Sequence, residues 1–243
     1  MSLEGRIALV TGASRGLGHA CALAYARAGA KIVATARTVG GLEELDDEVR
    51  ALGGEAVLVP LDLRDGPGID RLGPALAERF GRLDILLGCA GTLGTQTPVA
   101  HMKDEAWSDT LALNLGANWR LLRSLDGLLR ASEGGRALFL TCEAATSAPP
   151  YLSAYAASKA GLAALVRSYA GEVRHAGVAA CLVDPGPART HLRARYLPGE
   201  DRDALPKPDD FAGRIVGITQ EASDHSGETW QHADGGWSGS RER

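Results

Sequence analysis

The chain of 243 residues has no run of consecutive basic residues, and its 26 lysines and arginines are outnumbered by 30 aspartates and glutamates. A net charge of −4 creates no field that would gather a phosphate backbone, so nucleic acid is not an expected partner. No apolar run approaches the ~20 residues needed to span a bilayer, and the first residues lack a cationic start followed by a sustained apolar stretch. No membrane partner is expected, and the cytoplasm is the expected location. Cysteine is scarce and scattered: Cys21, Cys89, Cys142 and Cys181 show no C-x-x-C spacing. Reduced thiols follow, with neither a disulfide framework nor a metal site. There is also no internal repeat and no long polar tract, while 45% of the residues are apolar. One domain spanning residues 1–243 with a sizeable core is the expectation.

What the chain does contain is alternation. Strand-like runs at 6–10, 31–36, 56–60, 83–88, 137–141, 178–184 and 228–232 are separated by helical patterns. That order predicts an α/β fold with a doubly wound parallel sheet of about seven strands and helices on both faces. The first run, Ile7-Ala8-Leu9-Val10, stops at Thr11-Gly12-Ala13-Ser14-Arg15-Gly16-Leu17-Gly18, and a helical pattern follows from Ala20 to Ala28. Strand, glycine turn and helix form the context in which a backbone approaches a pyrophosphate, with the helix N-terminus supplying N–H donors and positive potential. An ordinary glycine turn would explain one glycine more readily than three.

In the second half, Tyr155-Ala156-Ala157-Ser158-Lys159 puts a phenol and an ammonium four residues apart, on one face of a helix. A free tyrosine titrates near ~10, and a nearby cation stabilises the phenolate, so Lys159 is positioned to make Tyr155 a usable acid/base. Alone, such a pair is more often a solvated helix face.

Together the glycine spacing and the tyrosine motif resemble the short-chain dehydrogenase/reductase family along essentially the whole chain. The resemblance implies a single Rossmann domain that transfers hydride between NAD(P) and a carbonyl or alcohol. Thr11, Gly12, Gly16 and Gly18 match the family's cofactor loop, with Ser14, Arg15 and Leu17 between them, and Tyr155 and Lys159 match its catalytic pair. Asn114 falls where the family keeps an asparagine that kinks a long helix and holds a water of the proton relay. Pro185, Gly186 and Thr190 resemble its P-G-x-x-x-T segment beside the nicotinamide, and Asp234-Gly235-Gly236 its C-terminal D-G-G. Asp62 and Leu63 match an adenine-contacting pair, and Ala90-Gly91 a turn that admits the ribose. The segments 190–195 and 205–210 resemble a bacterial branch of short-chain reductases with poorly defined substrates.

Cofactor choice turns on the end of the second strand, where an acidic residue would bind the ribose 2′-OH of NAD. Ala36 stands there, followed by Arg37, and Arg15 lies in the loop. Guanidinium groups without a repelling carboxylate predict NADP(H), with NAD(H) also admitted.

Two positions depart from the family. Cys142, thirteen residues before Tyr155, replaces a serine whose hydroxyl binds the substrate carbonyl. A thiol is a weak donor, and loss of one good donor to an oxyanion costs roughly 10²–10³ in rate. Thr141 is the obvious substitute, but strand alternation would point it to the opposite face unless the strand ends early. At the second departure, Gly88-Cys89-Ala90-Gly91 replaces N-N-A-G, which predicts weaker cofactor binding or a less rigid turn.

The proline-rich segment 185–208 is long for a connection, and the resemblance implies that it is the substrate-binding loop. Its Arg189, His191, Arg193 and Arg195 are followed by Glu200, Asp201 and Asp203, a mixed-charge pattern. Apolar stripes at Leu121, Leu122, Leu125, Leu128 and at Leu162, Leu165, Val166 belong partly to a core, and the resemblance implies that the rest packs a second subunit in a homodimer or homotetramer. The leading expectation is an NADPH-dependent reductase of a small carbonyl or alcohol substrate, with Tyr155 as acid/base, Lys159 lowering its pKa, Asn114 placing a water and Cys142 in the serine's position. The competing expectation is a catalytically weak NADP(H)-binding sensor or scaffold.

Overall fold

The computed structural model describes residues 2–238. Eight strands form one sheet in the order β3-β2-β1-β4-β5-β6-β7-β8. They are β1 (Ile7–Thr11), β2 (Lys31–Ala36), β3 (Ala56–Pro60), β4 (Ile85–Gly88), β5 (Arg136–Leu140), β6 (Ala179–Asp184), β7 (Thr229–Gln231) and β8 (Gly236–Ser238). All pairings are parallel except that of β7 with β8. The doubly wound α/β expectation is met with one strand more than the seven expected. That strand, Gly-Trp-Ser, is three residues long and turns back through Asp234-Gly235, too short to carry a period-2 pattern.

Strand residues alternate between two apolar cores, which is why runs such as Ile-Ala-Leu-Val are apolar throughout. On one face, Ala8, Val10, Ile32, Leu138 and Leu140 pack under α1 (Gly16–Arg27), α2 (Val39–Ala51) and α9 (Pro208–Glu221). On the other, Ile7, Leu9, Leu86, Phe139 and Leu182 pack under α3 (Gly66–Phe80), α5 (Ala117–Arg130) and α7 (Ser153–Glu172). The stripe residues Leu121, Leu122, Leu125, Leu128, Leu162 and Val166 are all buried in this second core, and Leu165 is partly buried against it.

Helix α4 (Asp104–Leu111) runs into α5 through a π turn at Ala112–Gly116, and Asn114 lies in that wider turn. The long helix is therefore interrupted where the sequence placed a kink. The segment 185–208 folds into a short helix, α8 (His191–Tyr196), and a 3-10 turn at Arg202–Ala204. A further four-residue helix, α6 (Ala144–Ser147), follows β5.

β1 has β2 on one side and β4 on the other, so the connections leaving β1 and β4 diverge. A crevice opens outside the carboxyl ends of the strands at that switch point.

Candidate active site

The crevice is a cavity of about 1520 Å³. Most site residues expected from the sequence line it; Thr11 and Asn114 are fully buried behind the wall, and Asp234, Gly235 and Gly236 lie outside it. At one end of it the chain leaves β1 through Gly12, with φ +66°, and enters α1 at Gly16. A side chain at Gly18 would bring its Cβ to 2.4 Å from the Gly12 carbonyl oxygen, so glycine alone permits this closeness of loop and helix. Gly12, Gly16 and Gly18 all line the cavity, so the loop backbone can be approached closely there, as a pyrophosphate cradle requires.

The turn after β4 is held differently from the expectation. Thr11 Oγ1 accepts hydrogen bonds from both the Cys89 and Ala90 backbone N–H groups, at 3.0 and 3.1 Å. One threonine on β1 thus gives two hydrogen bonds to the turn that lacks the asparagines. Gly88 also has a reason in packing. A Cβ there would meet Phe139 at 2.4 Å and the Asn118 amide oxygen at 3.0 Å.

Asn114 joins three elements. Its Oδ1 accepts from Thr92 N at 2.8 Å, while its Nδ2 donates to Thr92 O at 2.8 Å and to Ser158 Oγ at 2.9 Å. Ser158 Oγ in turn donates to the Tyr155 carbonyl at 2.7 Å. Asn118 Nδ2 donates to the Asn114 carbonyl at 2.8 Å. The asparagine side chain is thereby spent on fastening the loop after β4 to α7. Thr92, Asn118 and Ser158 were not singled out from sequence; Ser158 sits inside the Y-x-x-x-K motif, but its partner is forty-four residues away.

Tyr155 and Lys159 project from α7 towards the end of β5, and both are buried. Cys142 Sγ donates to the Tyr155 hydroxyl at 3.4 Å. Burial, and after it the neighbouring Cys142, push the Tyr155 phenol well above its ordinary range. Lys159 Nζ donates to the Leu140 carbonyl at 2.7 Å and stands 5.9 Å from the centre of the tyrosine ring. Burial pushes its ammonium down. The expected lowering of Tyr155 by Lys159 is thus outweighed by desolvation of both groups.

Around Tyr155 the wall is apolar: Leu93, Ala144 and Leu152 are buried against it, with Cys142, Leu192 and Tyr196 packed alongside. Arg189, Arg193 and Arg195 of segment 185–208 are turned to partners of their own. Arg193 makes two contacts of 2.6 Å to Glu200, and Arg189 pairs with Asp203 at 3.0 Å. Gln96 Nε2 donates to the Arg195 carbonyl at 2.6 Å, strapping α8 to the loop after β4. The mixed-charge reading of this segment holds. Thr190 Oγ1 accepts from Arg193 N at 3.2 Å and caps α8.

At the far end, Arg15 and Arg37 are exposed on the cavity rim. Arg37 lies 3.9 Å from Asp62, but that carboxylate is engaged by Arg64 at 2.7 Å. The Arg64 hydrogen bonds hold Asp62 below the ordinary carboxylate range.

A family model for the short chain dehydrogenase matches residues 6–201. This chain belongs to the short-chain dehydrogenase family. It is 33% identical to the 3-oxoacyl-[acyl-carrier-protein] reductase FabG of Escherichia coli (strain K12) over 223 residues, covering 92% of this chain and 89% of the relative. It is 31% identical to D-threitol dehydrogenase of Mycolicibacterium smegmatis over 91% of this chain and 88% of that protein. Among solved structures, a metagenomic short-chain oxidoreductase in complex with NADP is similar with a TM-score of 0.79, at 33% identity, over 92% of this chain and 94% of that one. The oxidoreductase yciK from E. coli is similar with a TM-score of 0.88, at 28% identity, over 94% and 95%. This short-chain dehydrogenase is accordingly an NAD(P)-dependent oxidoreductase with a Rossmann-like sheet. Among the described residues, no helix is long and apolar enough to cross a membrane.

Proposed function

We propose that this short-chain dehydrogenase is an NADPH-dependent reductase of neutral, largely apolar aldehydes or ketones, with Tyr155 as the proton donor. The observation that carries the reading is the state of Tyr155. The phenol is buried and its oxygen accepts from Cys142, so its own proton is uncommitted at the apolar end of the cavity. A neutral phenol is the protonation state that reduction of a carbonyl consumes.

The loop backbone between Gly12 and Gly18 is the cradle for a pyrophosphate, and Lys159, Pro185, Gly186 and Thr190 line the nicotinamide end. Arg15 and Arg37 are the groups for a 2′-phosphate, which favours NADP(H) over NAD(H). Asp62, Leu63, Ala90 and Gly91 are the proposed neighbours of the adenosine. The bound cofactor supplies hydride to the carbonyl carbon. Tyr155 gives its proton to the carbonyl oxygen while the Cys142 thiol stays hydrogen-bonded to the phenol oxygen. Lys159, destabilised as an ammonium by burial, stands ready to stabilise or reprotonate the phenolate. Asn114 holds the loop after β4 and α7 in register and is the proposed holder of a relay water. The apolar wall and the internally paired arginines support an uncharged substrate over an anionic one.

We further propose that the chain acts as one domain, in the cytoplasm, as a homodimer or homotetramer. Trp119 on α5 remains 45% exposed beside the buried stripe, and supports a subunit contact there.

The test is NADPH consumption over a panel of aldehydes, ketones and diketones. Turnover by the native protein, with kcat reduced about 10²–10⁴-fold in Tyr155→Phe and NADPH binding retained, is the expected result. NADPH binding without turnover of any carbonyl would replace this reading with that of a cofactor sensor.

A further inference from the structure

Resting on the reductase reading, we infer that the Thr141 hydroxyl is the second hydrogen-bond donor to the substrate carbonyl oxygen, and that the Cys142 thiol instead serves the phenol oxygen of Tyr155. The inference begins with how β5 ends. Its ladder with β6 reaches Leu140 opposite Val183, and one further bond, Thr141 N to Val183 O at 2.9 Å, closes it. The chain then turns, with Ala145 N donating to Cys142 O at 3.0 Å as α6 begins. Strand alternation lapses only after Thr141, so Cys142 joins Thr141 in lining the cavity.

Alternation within β5 says which face Thr141 belongs to. Leu138 and Leu140 pack beneath α1 and α9, whereas Phe139 packs beneath α5 and α7. Thr141 continues the Phe139 side, the side of the helix that carries Tyr155 and Lys159. The Thr141 side chain is 8% exposed, and its Oγ1 has no hydrogen-bond partner. A buried hydroxyl left in that state is costly, so such groups are nearly always partnered. A carbonyl oxygen delivered into the cavity supplies the missing acceptor.

Cys142 is the poorer candidate for the same bond on two grounds. An S–H is a weak donor, and this one is already given to Tyr155 Oη. In that place it occupies the phenol oxygen and leaves the Tyr155 proton free to point at the substrate. Tyr155 and Thr141 each bring an O–H to the substrate oxygen, and Cys142 backs the tyrosine.

The experiment uses the full chain, NADPH and the best carbonyl from the panel, with Thr141→Val, Thr141→Ser and Cys142→Ala compared for kcat, KM, NADPH affinity and Tm. Valine keeps the branched shape and removes the unpartnered hydroxyl, so Thr141→Val is expected to keep or raise Tm and leave NADPH affinity unchanged while kcat falls about 10²–10³-fold. Thr141→Ser, which restores a hydroxyl, is expected within about fivefold of the native rate, and Cys142→Ala to lose about tenfold or less. Native kcat in Thr141→Val overturns the assignment. A loss of NADPH affinity in place of kcat also overturns it, because the hydroxyl would then serve the cofactor. A fall in Tm in both Thr141 variants would make its role structural and overturn it too. These results leave the reductase reading standing; a native protein that turns over no carbonyl defeats both.

Discussion

Two aspartates at opposite ends of the sheet show how differently the ends are built. Asp84, just before β4, is 1% exposed and has four hydrogen bonds to its carboxylate: from Ile7 N at 2.8 Å, Ser132 Oγ at 2.6 Å, Arg6 Nη1 at 3.2 Å and Arg82 Nε at 3.2 Å. Its backbone links the same strands, accepting from Arg136 N and donating to Ile7 O. Asp184, at the carboxyl end of β6, receives one hydrogen bond, from Gly186 N at 2.9 Å, and has Glu143 and His232 as charged or titratable neighbours. Burial pushes both carboxyls up. At Asp84 the donors and two arginines outweigh it and hold the group below its ordinary range, while at Asp184 burial wins. The amino end is a knot in which polar groups serve the fold. The carboxyl end keeps polar groups in hand, including the unpartnered Thr35 Oγ1, Thr141 Oγ1 and His232 Nδ1. Arg136 Nε is an unpartnered exception at the amino end, although the same guanidinium donates to Gly135 O at 3.0 Å.

If that contrast is real, disrupting the knot should cost stability and leave chemistry alone. Asp84→Asn removes the charge facing Arg6 and Arg82 and one acceptor site, and should lower stability by about 2–4 kcal/mol, or about 2–4 °C in Tm for each kcal/mol. The pH dependence sharpens the point. Because the folded pKa of Asp84 lies below the unfolded value of about 3.9, its stabilisation is complete above that value and disappears as pH falls through the folded pKa. Thermal melts between neutral pH and pH ~3 should therefore show a shallower acid decline in Asp84→Asn than in the native protein. Equal acid slopes would mean that the knot contributes no such linkage.

Arg37 offers the converse case, a charge at the carboxyl end that the fold does not use. Its one near carboxylate, Asp62, is 3.9 Å away and already held by Arg64. Arg37→Ala should leave Tm within about 0.5 kcal/mol of native stability. NADPH affinity should fall about tenfold, near 1.4 kcal/mol, with NADH affinity unchanged. Titration of both cofactors by fluorescence decides this, and an equal loss for the two would remove the 2′-phosphate assignment.

The difference between the ends also explains what was legible in the sequence. Apolar runs such as Ile7-Ala8-Leu9-Val10 are buried on both faces, so the parallel sheet could be read from composition and order alone. The Gly12–Gly18 loop and the Tyr155-Lys159 pair are local patterns, with their chemistry written in spacing. Contacts between distant segments were not legible. Nothing in the vicinity of Gly88-Cys89 announces that Thr11, seventy-eight residues earlier, ties the turn after β4. Nor does the sequence around Thr141 say that β5 stops at Leu140, since that depends on the register with Val183. The reversal of the Tyr155 pKa expectation has the same origin, because helix spacing reports that a lysine is near but not how deeply both groups are buried.

The smallest effect tests the comparison most directly, because it predicts a gain. A folded Asp184 pKa raised above the unfolded value means that both states are protonated in strong acid and Asp184 then costs nothing. As pH rises through the unfolded pKa, the unfolded chain ionises first and stability falls, and that loss persists at neutral pH. Asp184→Asn keeps an acceptor for Gly186 N and abolishes the ionisation, so it should raise stability at neutral pH by about 0.5–1 kcal/mol and show no gain near pH ~3. The same exchange at Asp84 should go the other way at neutral pH. Matching signs for the two variants at neutral pH would collapse the distinction between an end built for the fold and an end kept open for a ligand. Opposite signs would place the stability given up for function at the carboxyl end of the sheet, beside Tyr155 and Thr141.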